Sequence, residues 1–274
     1  MIQSFILLLI GLVGGTVGSL VGLGGGIIIV PALLFFGTYT RWLSGITPQT
    51  AVGTSLLVII FIGLASTLTY MKHKTVDYRS AWIFFLGSGP GGIAGAIANK
   101  SLNMHSFSIY FGSFIILTSF ILMFKDKIKP KKMKRPFPIM RIYQDPDGNM
   151  HTYGFHPVTA WVLSFIVGLF SGLFGIGGGS LMVPAMILLF AFPPHVAVAT
   201  SMFMIFLSSL LSSITHVSMG NMDWGMALFL VPGAWIGGRL GAFINTRLNS
   251  KTVVNVLRVI LLVVGFRLIY QGLF

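Results

Sequence analysis

"GLGGGIIIVPAL" at residues 22–33 and "GIGGGSLMVPAM" at residues 175–186 are one pattern written twice: three consecutive glycines, an apolar run and a proline. Glycine weakens a helix because it loses the most backbone freedom on ordering and brings no side chain to pack. Yet each triplet sits in a stretch otherwise oily enough to enter a bilayer. How these two interruptions are read decides the fold.

Around them the chain is 55% hydrophobic and 8% charged, with a mean hydropathy of +0.90. A soluble domain carries about 25% charged residues, so this composition excludes that class. Continuous apolar segments fall at 3–22, 27–38, 48–71, 80–99 and 104–124, and again at 157–175, 179–191, 195–218, 224–244 and 252–273. Several reach the roughly 18–20 residues that a helix needs to cross a bilayer. They lack the in–out alternation of barrel strands. The expectation is an all-α polytopic protein of the plasma membrane, whose first partner is the lipid bilayer. The opening "MIQSFILLLIGLVGG" has no basic residues before its apolar run and reads as a retained first helix.

The two sets of segments are an internal repeat. The glycine triplets align at a shift of 153, taking Gly24 to Gly177 and Pro31 to Pro184. From residue 48 the shift is 146: "PQTAVGTS" from Pro48 matches "PHVAVATS" from Pro194. The same shift takes Asp77 to Asp223, Gly87, Gly91 and Gly95 to Gly233, Gly237 and Gly241, and Asn99 to Asn245. We therefore divide the chain into a first transmembrane repeat at 1–124, a connecting loop at 125–156 and a second repeat at 157–274.

Orientation follows from where Lys and Arg lie. Eight of the 18 are in "KDKIKPKKMKRPFPIMR" (125–141), which places that loop in the cytoplasm. No DNA-reading helix or aromatic RNA-binding pattern accompanies this run, so a nucleic-acid partner is not expected. Two crossings earlier, "MKHKTVDYR" (71–79) is also basic, whereas its counterpart "VSMGNMDWG" (217–225) has lost every positive charge. Equivalent loops with opposite charge bias imply repeats inserted upside down relative to each other. In the connecting loop, "IYQDPDGNMHTYGF" (142–155) alternates around a turn at 145–149 and reads as a β-hairpin.

What can the triplets do? A helix start leaves its first N–H groups without intrahelical partners and carries about half a positive charge from the macrodipole. Two short helices beginning at Gly26 and Gly179 would form an anion site if their starts converge in the membrane interior. Gly24, Gly25, Gly26, Gly177, Gly178 and Gly179 are thus candidate substrate-binding residues, each triplet a broken or re-entrant helix element. Close helix packing is the rival reading, since glycine serves it widely in membranes. It suits the four-residue spacing of Gly14/Gly18/Gly22, Gly87/Gly91/Gly95 and Gly233/Gly237/Gly241 better than three glycines in a row, which occupy every face.

Thr54, Ser55, Thr200 and Ser201 sit in the matched "AVGTS" and "AVATS" segments. Their hydroxyls can bond an oxyanion or the helix carbonyl one turn back. Asp77 and Asp223 precede helix starts and read as N-caps. The chain has no Glu and five Asp, none deep in an apolar segment, which disfavours a carboxylate proton relay. His216 is the remaining titratable candidate, with a structural role as the alternative. Arg258 lies about two turns inside the last segment, where it can snorkel to the interface or meet a substrate anion. The absence of cysteine excludes disulfide and thiol chemistry, and no metal or other cofactor is expected. Nothing in the membrane segments forms an acid–base pair or an activated nucleophile, so an enzyme is not expected.

The ordered pair "GLGGGIIIVP" and "GIGGGSLMVP", each followed by "AVGTS" or "AVATS" and then "VDY" or "MDW", resembles the TauE/SafE-type permeases, also called the 4-toluene sulfonate uptake permease family. The resemblance covers both repeats and omits the loop. It implies a transporter for small sulfur-containing anions such as sulfite or an organosulfonate. The residues themselves argue only for an anion, and an anion channel or a non-transporting scaffold subunit stay open beside a carrier. An oligomer is compatible with either. Tyr70 stands where His216 aligns and Ile93 where Arg239 aligns, so a role for His216 or Arg239 would break the symmetry.

Overall fold

The computed structural model describes residues 2–39, 45–124, 137–144, 148–247, 262–263, 265–266 and 269–270. Five helices precede the connecting loop: α1 (Ile2–Val21), α2 (Gly26–Tyr39), α3 (Pro48–Lys72), α4 (Tyr78–Asn99) and α5 (Met104–Phe124). A hairpin of β1 (Ile139–Gln144) and β2 (Met150–Phe155) follows, then α6 (Pro157–Phe174), α7 (Gly179–Leu189), α8 (Pro194–Ser218) and α9 (Trp224–Asn245). Six of the described helices, α1, α3, α4, α6, α8 and α9, are long and apolar enough to cross a membrane. The chain is an all-α polytopic membrane protein with one small β-hairpin among the described residues.

Local sequence explains the boundaries. Thr47 and Thr50 form a reciprocal capping box at the start of α3, and Pro48 occupies its first turn. The Asp77 carboxylate accepts from the Ser80 N–H at 3.2 Å and the Asp223 carboxylate from the Met226 N–H at 2.9 Å. These bonds satisfy donors that α4 and α9 would otherwise leave open. α6 ends at Gly175, whose φ of 69° is left-handed and whose N–H turns back to the Ser171 carbonyl.

Glycine ridges set the packing. Gly87, Gly91 and Gly95 of α4 lie against the carbonyls of Trp161, Phe165 and Leu169 of α6. Gly233, Gly237 and Gly241 of α9 meet those of Leu8, Leu12 and Thr16 of α1 in the same way. Both pairs advance together along the chain, so each is parallel, and backbones approach as only glycine allows. Between them α3 and α8 cross antiparallel: Gly63 rests on Phe206, and Gly53, near the start of α3, rests on His216 and Asn221 at the end of α8. These two central helices are sequence equivalents.

The hairpin pairs Ile139 with Phe155 through Gln144 with Met150, and its first strand begins three residues ahead of the alternation read at Ile142. It is docked, not free-standing. Phe155 packs on Phe84 at 4.9 Å between ring centres and Tyr153 on Phe192 at 4.2 Å. The Gly154 N–H donates to the Phe190 carbonyl, and the Tyr153 hydroxyl donates to Asp77 at 3.1 Å. Burial, then the adjacent Asp77 carboxylate, pushes the Tyr153 phenol above its ordinary range.

Candidate functional site

Each half builds its part of the site from the same letters. After α1, the Leu23 N–H turns back to the Gly18 carbonyl at 2.7 Å. Gly24 and Gly25 then take φ of 86° and 91°, and α2 starts. In the second half Gly177 and Gly178 take 85° and 77° before α7 starts. A side chain is strained in this left-handed region, which explains why glycine occupies these two places in both turns.

The two turns meet each other. A methyl group placed on Gly26 would strike the Gly175 carbonyl, and one on Gly179 would strike the Gly22 carbonyl. One on Gly24 would lie 3.2 Å from Ile205 and 3.3 Å from Ile59; one on Gly177 would lie 3.1 Å from both. Ile59 and Ile205 are each twelfth in their 25-residue helices, so the turns meet at mid-height of α3 and α8. All six triplet glycines are buried.

The helix starts carry unused donors. The first amide bonds inside α2 and α7 are Ile28 N–H to the Gly25 carbonyl at 3.0 Å and Met182 N–H to the Gly178 carbonyl at 3.3 Å. The N–H groups of Gly26, Ile27, Gly179 and Ser180 make no hydrogen bond among the described residues. Gly178 caps α7 without any side-chain acceptor. Buried amides without partners are rare and each costs about 1–3 kcal/mol. An arriving anion would recover that cost.

The four hydroxyl residues are fully buried and stand where the halves touch. Ser55 donates to the Gly175 carbonyl at 3.0 Å, and Ser201 donates to the Gly22 carbonyl at 3.1 Å as well as to Val198. Thr54 accepts the Asp223 N–H and Thr200 accepts the Asp77 N–H, both at 3.0 Å. Both serines thus reach the opposite repeat's glycine turn, Ser201 while also bonding the Val198 carbonyl in its own helix.

Other cross-links repeat this reciprocity. Asn99 donates to the Leu173 carbonyl at 2.7 Å and Asn245 to the Leu20 carbonyl at 2.6 Å. Their alignment was visible in the sequence; their partners were not. Gln49 bonds the carbonyls of Asn99 and Leu102, while its neighbour-equivalent His195 meets the Asn245 side chain. His216 Nε2 lies 3.2 Å from the Gly172 carbonyl, and Tyr70 donates to the Ser19 carbonyl at 2.9 Å. The Tyr-for-His exchange therefore preserves a backbone contact. Arg239 is exposed and stacks on Trp235 at 5.1 Å, outside the junction. Arg258 lies outside the described residues. Among the described residues no cluster of His, Asp or Glu could hold a metal ion.

Two mirrored glycine turns braced by mirrored serines are an arrangement that a family of sequences would share, and residues 7–268 match the family model described as Sulfite exporter TauE/SafE. The chain belongs to the TauE/SafE family. Its match to a probable membrane transporter protein of Bacillus subtilis, YunE, is 56% identical over 273 residues, covering 99% of this chain and 100% of that protein. A probable membrane transporter protein of Xylella fastidiosa is 27% identical over 264 residues, covering 96% of this chain and 93% of its own length. The Sulfite exporter TauE/SafE family protein 6 of Arabidopsis thaliana is 42% identical over 59 residues, 22% of this chain and 14% of that protein. TauE/SafE membership makes this chain a multi-pass membrane protein of a transporter family.

Proposed function

We propose that the chain carries a small sulfur-containing anion, such as sulfite or an organosulfonate, across the plasma membrane by alternating exposure of a midplane site. The observation that carries this reading is the pair of buried helix starts whose amides at Gly26, Ile27, Gly179 and Ser180 have no acceptor among the described residues. Two such starts, each worth about 0.3–2 kcal/mol towards a negative charge, favour an anion while letting it leave.

In this reading the Gly24–Gly26 and Gly177–Gly179 turns contact the anionic head. Ser55 and Ser201 hold the turns through their carbonyl bonds, and Thr54 and Thr200 tie α3 and α8 to the starts of α9 and α4. The antiparallel crossing of the equivalent helices α3 and α8 supports repeats 1–124 and 157–274 inserted with inverted topology. The basic loop at 125–156 then lies on the cytoplasmic side. The sulfur chemistry of the substrate is supported by the family description.

The test is flux into proteoliposomes of sulfite, sulfoacetate and sulfate. Saturable, protein-dependent flux of a sulfur oxyanion is expected, and its absence for all three would overturn the proposal.

A further inference from the structure

The pseudo-symmetry is also broken where α4, α6 and α8 meet. Ser88 of α4, Ser171 of α6 and Ser209 and Ser212 of α8 are all at least 98% buried, and none of their hydroxyls has a hydrogen-bond partner among the described residues. Buried hydroxyls in that state are uncommon in folded proteins, and four on three adjoining helices form a set of hydrogen-bonding groups free to meet a polar ligand.

The helices meet at these residues. A methyl placed on Gly92 of α4 would strike the Ser212 hydroxyl, and one on Gly172 of α6 would strike the Gly92 carbonyl. Ser88 lies one turn before Gly92, and Gly168 of α6 packs on its backbone. Ser171 points at the start of α7: a methyl on Gly178 would lie 3.5 Å from its Cβ and 3.7 Å from its Oγ. His216, one turn beyond Ser212, has no partner for its Nδ1 among the described residues.

The mirror positions, on α1, α3 and α9, are closed. Ser88, Ser171, Ser209 and Ser212 correspond to Ala234, Gly18, Gly63 and Ser66. Gly18 packs directly on the Gly25 backbone. Ser66 is fully engaged, donating to the Ile62 carbonyl at 2.6 Å and bonding Ser19 at 2.7 Å. Across α1, α3 and α9, Thr67 alone carries an unpartnered buried hydroxyl among the described residues.

We propose that the anion site is asymmetric: a small oxyanion docks at the start of α7, held by the Ser171 hydroxyl and the Gly179 and Ser180 amides, and travels along Ser88, Ser209 and Ser212. The inference rests on the anion-carrier reading above and narrows it to the side of the junction built by α4, α6, α7 and α8. Helices α6, α7 and α8 contain no Lys, Arg, Asp or Glu, and each group named here as a donor is a neutral hydroxyl or amide. Such a site suits a sulfonate or sulfite head, which accepts several hydrogen bonds at once, and it releases its ligand because no full counter-charge holds it.

The absence of cysteine from the chain makes the test clean. Single variants Ser171→Cys, Ser212→Cys and the mirror control Ser66→Cys are purified, checked for monodispersity, reconstituted and treated with an anionic methanethiosulfonate reagent. Cysteine is nearly isosteric with serine, and Ser171→Ala provides a second variant assayed by sulfoacetate flux. We expect modification at 171 and 212, slowed about tenfold by sulfoacetate at roughly ten times its dissociation constant, with no modification at 66. The Ser171→Ala variant raises KM for flux and leaves kcat within a factor of about two. Modification without protection means that these serines meet water and no anion, and overturns the proposal. So do no modification at 171 and 212, or equal protected modification at 66. Flux by the wild type with an unprotected 171 would sink the asymmetric site and leave the carrier reading standing. Protection without any wild-type flux would do the reverse.

Discussion

Matched glycines in the two turns should differ sharply in what they tolerate. Gly25 and Gly178 occupy the same place in their triplets and have φ of 91° and 77°. An alanine in this region costs about 1–2 kcal/mol through the clash of its Cβ with the following carbonyl. Beyond that the surroundings diverge. A Gly25 methyl would lie 2.6 Å from the Gly14 carbonyl oxygen and 2.9 Å from Ile62 Cδ1, so α1 backbone has to shift. A Gly178 methyl would lie 3.1 Å from Val167 Cγ1, a side-chain tip that can yield. Overpacking against backbone adds about 1–3 kcal/mol. We therefore expect losses of about 2–5 kcal/mol for Gly25→Ala and about 1–2 kcal/mol for Gly178→Ala. The assay is the midpoint of heat-induced loss of monodisperse protein in one detergent, compared across wild type and both variants. Equal midpoints, or a lower one for Gly178→Ala, would refute the account of the junction. A folded Gly178→Ala with reduced flux would, in addition, separate a ligand-contacting turn from a purely packed one.

Ser55→Ala and Ser201→Ala each strand a buried carbonyl on the opposite turn, and by mirror symmetry should lose similar amounts, about 1–3 kcal/mol; the same midpoints test this, and a large difference between them would contradict the reciprocity. Gly91→Ala pushes a methyl into the Phe165 carbonyl and should cost about 1–3 kcal/mol. The exposed Leu86→Ala on the same helix should stay within about 0.5 kcal/mol of wild type. Tyr153→Phe removes the bond to Asp77 and should speed proteolytic cleavage at the hairpin without unfolding the helices. The phenol's folded-state value is raised, so its stabilising contribution is complete below the ordinary value of about 10 and is lost as pH climbs through the raised one. Protection of the hairpin should therefore hold from neutral to mildly alkaline pH; its loss on going from pH 6 to 8 would argue against this contact.

Much of the architecture was legible in the letters because it depends on local chemistry. Continuous apolar runs of membrane-crossing length, aspartates ahead of α4 and α9, and glycines every four residues act within one helix or one turn, where spacing along the chain is spacing in the molecule. The doubled triplet likewise marks where helices break, since glycine adopts the left-handed φ found there without the strain a side chain brings. Chain order could not say what those breaks face. The turn of one repeat lies on the turn of the other because α3 and α8 cross antiparallel, and that crossing brings Ser55 to Gly175 and Ser201 to Gly22 across separations of 120 and 179 residues. A hydroxyl bonds whichever carbonyl packing delivers to it, so the roles of Thr54, Ser55, Thr200 and Ser201 were fixed only when the halves came together. For the same reason, four serines of α4, α6 and α8 look ordinary in the sequence, and only the folded packing leaves their hydroxyls without partners among the described residues.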